Sequence, residues 1–394
     1  MIYNEGLDRQ IRSYIEEHRQ EALEFWRDLV NHEGQHGEKE ALLQTASFLH
    51  EKLNELGLQA QLLETGEKNA PVVTAVLNPE ASGKEIVFSG HYDTVFAAGS
   101  RGKDPFRAEG YYVYGPGCCD MKGGITIAYF VLKALQFLDF RECPVRAFFV
   151  GDEEVNHIGG RTIELIKEYT SDILIDFNME NRYESGELCV GRKGDYEYKV
   201  ITHGVASHPG HAFDAGRNAI EEMAYKIIDL QAITPKEKDR DYSLSVDVIH
   251  GGTVTNVIPD RCEVMIDLRI RSYAALAEAE GKMQEALAKV YVPDTSSELI
   301  LVDAMPPFEN TPQVNEAYGV LKMISDTIGS NVTGSIQVGG ASDAAHMPPG
   351  TKIVCQCGVM GANTHSEKEY ARLDSLYEGI RLFTYAVLNF ELFR

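Results

Sequence analysis

Positive charge is scarce in this chain: 37 Lys and Arg stand against 60 Asp and Glu in 394 residues, a formal net charge of −23. A surface of that sign repels phosphate backbones and anionic lipid, which argues against nucleic acid and membranes as partners. Acids in such excess can still gather metal cations. No stretch approaches the ~20 apolar residues that cross a bilayer, the longest largely apolar run being Ile125 to Leu132. The N-terminus, MIYNEGLDRQIRSY, lacks the apolar h-region of a secretory signal. The seven cysteines are odd in number and never spaced CxxC. That pattern speaks for reduced thiols in a cytosolic protein and against a structural thiolate zinc site. GxSxG is absent too, since Ser342 follows Gly340 but meets Ala344 where the second glycine belongs. The turn from Gly115 to Asp120 is neither GxGxxG nor a P-loop, so a nucleotide site lacks support.

What is present reads as an ordinary globular chain, 44% hydrophobic and 25% charged. Its length predicts two or three domains with a large core. Periodic apolar residues predict helices over about 8–30 and 39–56, and a last helix from Leu373 to Phe390. Short apolar runs predict strands at Val72–Leu77, Glu85–Phe88, Val145–Val150, Ile173–Phe177 and Ile353–Cys357. Strands of this kind alternating with helices near 125–137 and 162–169 point to an α/β fold: a mixed, largely parallel sheet covered by helices. The middle differs. From about Tyr196 the pattern runs strand (196–202), helix (218–231), strand (243–250), strand (261–269), helix (273–290), strand (298–303), the βαββαβ order of a ferredoxin-like domain. The expected organisation is a discontinuous first domain, 1–193 plus 305–394, with 194–304 inserted. There are no internal repeats and no low-complexity segment.

The residues with chemical potential fall where strands end. His91 and Asp93 follow the strand at 85–88, Glu153 and Glu154 follow 145–150, Glu180 follows 173–177, and His365 lies beyond 353–357. A glycine-flanked turn delivers Asp120 ahead of the helix at 125–137. In open α/β sheets the site forms outside the carboxyl ends of the strands. Two imidazoles with several carboxylates and no thiolate suit a catalytic zinc pair, which needs a bridging carboxylate and about two further ligands per ion. Taken singly, each of these residues has a plainer reading as a turn, a cap or a solvated charge; their joint placement is what points to a site. A rival motif, His32-Glu33-Gly34-Gln35-His36, matches HExxH. That chemistry needs a regular helix, and Asn31, Gly34 and Gly37 give this stretch the composition of a helix stop.

The ordered motifs GHYDTV (90–95), YGPGCCDMKGG (114–124), GDEE (151–154), ASHPG (206–210), TNVIPD (255–260), DLRIR (267–271), GGASDA (339–344) and the late His365 resemble a known group. It is the family of di-zinc peptidases that includes glutamate carboxypeptidase, aminoacylase, acetylornithine deacetylase and succinyl-diaminopimelate desuccinylase. PFRAEG through YGPG, 105–117, looks closest to the glutamate carboxypeptidase branch. The resemblance implies two zinc ions per chain, with cobalt or manganese as substitutes. It implies Asp120 as their bridge, Glu154 and His365 completing one site, and His91 and Glu180 the other. Asp93 would orient His91, and Glu153 would act as general base, taking a proton from the attacking water and passing it to the leaving amine. His208 resembles the family's oxyanion donor, supplied across a homodimer formed through the inserted domain. Asn256, Arg269 and the backbone of Gly340 resemble a clamp for the substrate carboxylate, with Arg271 as the alternative arginine. A cis Asp120–Met121 peptide is implied as well. Pro209 and Ala341 depart from the family's usual alanine and glycine, and both bear on specificity.

The expectation is therefore a cytosolic carboxypeptidase or deacylase acting on short peptides or N-acyl amino acids. Its rivals are a deacetylase or desuccinylase of a biosynthetic intermediate, and a non-catalytic binding protein of the same fold.

Overall fold

Val72–Leu77 and Val145–Val150 are buried on nearly every residue, the signature of strands covered on both faces. They belong to a six-stranded sheet whose spatial order is Gln61–Leu63, Val72–Leu77, Val145–Val150, Glu85–His91, Ile173–Asn178, Ile353–Val354. Pairing is parallel across the four strands from Val145–Val150 to Ile353–Val354 and antiparallel at the other edge. The fold is the mixed, largely parallel α/β arrangement that the sequence predicts. Helix Gly123–Phe137 is buried on almost every residue. Gly124 permits its approach, because a Cβ there would lie 1.8 Å from the Met179 carbonyl oxygen.

The computed structural model describes residues 3–394 and divides into two compact units. One comprises Met1–Val190, Asn310–Gln337 and His346–Arg394; the other comprises Gly191–Glu309 and Val338–Ala345. Segment 338–345 is tied into the second unit by Lys193, whose N–H donates to Val338 O, and by Arg192 Nη1, which donates to Ala341 O. No pattern in the sequence marks that attachment.

Within the second unit four antiparallel strands lie in the order Tyr242–Gly251, Arg261–Ile270, Gly194–His203, Ser296–Met305. Helices Ala219–Gln231 and Tyr273–Ala288 connect them, giving the βαββαβ order. Alternate residues Val264, Ile266 and Leu268 meet Met223, Ala279 and Met283 in its core.

Two features of the first unit differ from the sequence pattern. The helix expected over 8–30 is two, Glu5–Glu17 and Arg19–Asn31. His18 interrupts them: its ring stacks on Tyr14 and its Nδ1 lies 2.7 Å from the Tyr14 carbonyl, so side chain and backbone crowd one acceptor. A second, small sheet also appears, ordered Arg107–Glu109, Tyr112–Tyr114, Tyr370–Arg372, Met360–Ala362, Arg182–Tyr183. Its two- and three-residue strands are too short to register as periodicity, yet they fasten the segments beside Asp120, Glu180 and His365. Among the described residues no helix is long and apolar enough to cross a membrane.

Candidate metal centre

His91 is the last residue of its strand and is buried. Its Nε2 lies 3.2 Å from Asp120 Oδ1 and 3.9 Å from Glu153 Oε2, and its Nδ1 lies 3.3 Å from Asp93 Oδ1. Asp93 does more than face that ring. Its wholly buried carboxylate also accepts the backbone N–H of Glu153 (3.3 Å) and of Glu154 (3.1 Å). One side chain thus holds the histidine and the short 3-10 turn Glu153–Val155.

Behind that turn is a second polar anchor. Asp152 is buried against His157, with Oδ1 2.7 Å from His157 Nδ1, while Oδ2 accepts from Asn69 Nδ2 (2.9 Å) and Thr162 Oγ1 (2.8 Å). The acidic loop is therefore fixed from both sides, although Glu153 and Glu154 themselves remain partly accessible.

Asp120 arrives on the turn Cys118–Lys122, entered through Gly117 at φ +67°, a backbone geometry that glycine adopts without steric cost. The Asp120–Met121 peptide is cis, as the resemblance implies. Glu369 lies beneath the turn, buried, and accepts N–H bonds from Gly117, Cys119 and Asp120 at 2.9–3.0 Å. His365, half exposed, places Nε2 3.1 Å from Glu154 Oε2 and 3.4 Å from Asp120 Oδ2.

Donor atoms of His91, Asp120 and Glu154 all lie within 4.8 Å of one another, and His365 Nε2 faces the same two carboxylates. Oxygen and imidazole donors so arranged fit a divalent cation such as zinc. The electrostatics agree. Hydrogen bonding to Asp120 and Glu154 raises the His365 pKa to about 10. Burial would lower that of His91, but Glu153, Asp120 and Asp93 raise it well above its ordinary value. Burial likewise opposes the ionisation of Asp120, and bonding to His365 and His91 overcomes it. Glu154 is pushed upward by burial, with His365 pulling the other way. The cluster draws positive charge.

The remaining expected residues are placed as follows. Glu180 is buried just beyond the strand Ile173–Asn178, its carbonyl accepting the Gly358 N–H, and it does not join the three-donor group. His208, Asn256, Arg269 and Gly340 all belong to the second unit. There, exposed His208 accepts the backbone N–H of Gly210 (3.1 Å) and His211 (3.2 Å) at Nδ1. Those bonds leave the neutral ring's proton on Nε2, as a donor role requires. Arg269 is engaged by Asp267 and Asp195, and Arg271 by Asp239. Asn256 lies on an exposed turn and Gly340 on an exposed bend. The HEGQH segment lies in a loop beyond Asn31, where His32 Nδ1 is 2.7 Å from Asp28 O; it has none of the helical geometry of an HExxH zinc site.

The sequence profile of peptidase family M20/M25/M40 matches residues 87–389, which contain all five expected ligands. The chain belongs to that family. Its M20 relatives include carboxypeptidase G2 of Pseudomonas sp. (strain RS-16), 27% identical over 359 residues, covering 88% of this chain and 84% of the relative. Succinyl-diaminopimelate desuccinylase of Ehrlichia ruminantium (strain Welgevonden) is 26% identical over 370 residues, covering 87% and 92%. Among solved structures, aminopeptidase PepT of Bacillus cereus superposes with a TM-score of 0.77 at 18% identity, over 95% of this chain and 99% of that one. The likeness to PepT establishes the M20 fold. With the family match, the chain is a metallohydrolase of the peptidase or desuccinylase kind with a candidate metal site.

Proposed function

We propose that this M20 protein is a cytosolic di-zinc amidohydrolase that cleaves an amide beside a free carboxylate, acting on N-acyl amino acids or as a carboxypeptidase on short peptides. The observation that carries the reading is the convergence of His91, Asp120, Glu154 and His365 on one spot with Glu153 beside them. In this reading Asp120 would be shared between two ions, Glu154 and His365 would hold one, and His91 and Glu180 the other. A divalent cation held by these residues would supply Lewis acidity to the scissile carbonyl and to an attacking water. Glu153 then takes that water's proton on its carboxylate and returns it to the leaving nitrogen. Its backbone N–H, fixed by Asp93, keeps the carboxylate at the rim. His208 of the partner subunit donates from Nε2 to the oxyanion in a homodimer joined through the second unit. Exposed apolar residues on one helix, Tyr225 and Ile228, and on an edge strand, Val248 and Ile249, support such a face. Asn256, Arg269 and the Gly340 backbone bind the substrate carboxylate, Arg269 by exchanging one of its aspartate partners.

A panel of N-acyl-glutamates and C-terminal dipeptides, run beside N-acetylornithine and N-succinyl-diaminopimelate, tests the substrate class. The relatives named succinyl-diaminopimelate desuccinylase support N-succinyl-diaminopimelate as a rival substrate, and preferential hydrolysis of either member of the second pair would replace the carboxypeptidase reading. The chemistry is tested with Glu153→Ala: it retains zinc and loses about 10²–10⁴-fold in kcat. Normal turnover in that variant with zinc bound refutes the role of Glu153. Fewer than one zinc per chain, with no gain on adding metal, favours the non-catalytic binding protein.

A further inference from the structure

One loop grips Asp120 from two directions. Residues 363–369 form a compact turn in which Ser366 Oγ donates to Asn363 O, Lys368 N–H donates to Ser366 Oγ, and Glu369 N–H donates to Ser366 O. His365, at φ +61°, reaches the Asp120 carboxylate. Four residues on, Glu369 reaches the Asp120 main chain. Its Oε1 accepts the N–H groups of Cys119 (2.9 Å) and Asp120 (3.0 Å), and its Oε2 accepts that of Gly117 (3.0 Å). Directly after Glu369, strand Tyr370–Arg372 pairs with Tyr112–Tyr114, the strand leading into the Asp120 turn, in the register Tyr370 to Tyr114. The turn and the histidine loop are thus locked together on both sides of Glu369.

We infer that Glu369 is a positioning residue for the metal centre, setting where the Asp120 carboxylate stands relative to His365. The inference rests on the reading of Asp120 and His365 as metal ligands, and adds a residue that touches neither metal nor substrate. Backbone N–H groups at the start of a helix-like turn have no partners within the turn itself. Here three of them converge on one buried carboxyl group, those of Cys119 and Asp120 on Oε1 and that of Gly117 on Oε2. Because Oε1 is shared between Cys119 and Asp120, a loss of the carboxylate frees the peptide that carries the bridging side chain, not a remote part of the loop.

Glu369→Gln offers one carbonyl to three donors; Glu369→Asp keeps two acceptor oxygens but is one methylene short. For the full chain and both variants, three quantities are measured: the zinc dissociation constant by chelator competition at a temperature where all are folded, the absorption spectrum of the cobalt-loaded protein, and the melting point of the metal-free protein. The expected result for Glu369→Gln is zinc binding weakened about 10–100-fold with an altered cobalt spectrum, partly recovered in Glu369→Asp. Wild-type affinity and spectrum in Glu369→Gln overturn the inference even if the melting point falls, since stability alone would then be its role. If Glu369→Gln does not fold, an unaltered zinc affinity and cobalt spectrum in Glu369→Asp overturn it. A wild-type chain that takes up no metal sinks the metal-centre reading and this one with it, whereas normal wild-type uptake with unchanged variants sinks this one alone.

Discussion

Replacing Asp93 by Asn removes one charge and almost no volume, and three contacts must respond. The carboxylate accepts Glu153 N–H at 3.3 Å and Glu154 N–H at 3.1 Å, and it lies 3.3 Å from His91 Nδ1. Hydrogen bonds to charged groups contribute about 1.5–3 kcal/mol each, so the two from the glutamate N–H groups would total roughly 3–6 kcal/mol if ideal, while His91 Nδ1 keeps its 3.2 Å contact with the Asp93 carbonyl oxygen. These are long for N–H···O bonds, and an amide oxygen can still accept one of them. About 3 kcal/mol is therefore the expected loss of stability. The amide NH2 must face a donor whichever way it turns, either the two glutamate N–H groups or the ring N–H of His91. Its neutral dipole also no longer favours a basic, correctly oriented imidazole.

Outer-shell partners of metal-bound histidines typically contribute about 10–100-fold in affinity or activity. Asp93→Asn is thus expected to bind zinc about 10–100-fold more weakly, and kcat/KM on the preferred substrate should fall by at least as much, since Glu153 is displaced as well. Chelator competition, steady-state kinetics and a melt of the metal-free protein read the three effects separately. Zinc affinity and turnover both within twofold of wild type would refute the reasoning, because Asp93 would then serve neither His91 nor the acidic turn.

Asp8 accepts from Arg381 Nε (2.8 Å) and Arg12 Nε (2.8 Å) in a mostly buried cluster. Burial alone would raise its pKa, but the two guanidiniums hold it below the ordinary 3.8. A depressed folded pKa gives stability that is full above the unfolded value and is lost as pH falls through the folded one. Asp8→Asn should therefore cost about 2 kcal/mol at neutral pH, below the range for fully buried pairs because Arg12 is largely exposed, and its melting curve should converge on wild type as pH falls below about 4; parallel curves down to the acid limit would contradict this. Gly124→Ala sets a Cβ against the Met179 carbonyl oxygen, a backbone atom with no rotamer to yield. It should destabilise by about 3 kcal/mol, and an unchanged melting point would show that the helix can move. His36→Ala should leave zinc content at the wild-type value while His365→Ala lowers it, measured by metal analysis after dialysis. The reverse outcome would restore the HExxH segment as the metal site.

The larger sheet was readable in the sequence because its strands are buried on both faces, which leaves unbroken runs such as VVTAVL and VRAFFV. The inserted βαββαβ unit was readable for a different reason. Its strands expose one face, and the alternation at Val264, Ile266 and Leu268 registers as period two. The small sheet has no such signal, since three residues complete barely one alternation. The break at His18 was equally hidden, because apolar periodicity runs through it and only a side-chain contact to Tyr14 marks the interruption.

A similar divide separates the residues of the candidate site. His91, Asp120, Glu154 and His365 are metal-binding donor types gathered at strand ends and turns, so sequence position and chemistry point the same way. Asp152 with His157, and Glu369 beneath the turn, could not be found so. Their partners are backbone N–H groups, which every residue but proline carries, or side chains such as Asn69, 83 residues from Asp152 along the chain. In the proposed centre, the identity of the ligands is therefore written in residue type, while their placement is written in contacts to atoms common to all residues. It follows that transferring His91, Asp120, Glu154 and His365 alone onto another strand-and-turn scaffold would not rebuild the centre. Asp93 and Glu369 would have to travel with them: one ties the first histidine to the acidic loop, and the other holds the main chain of the aspartate between them.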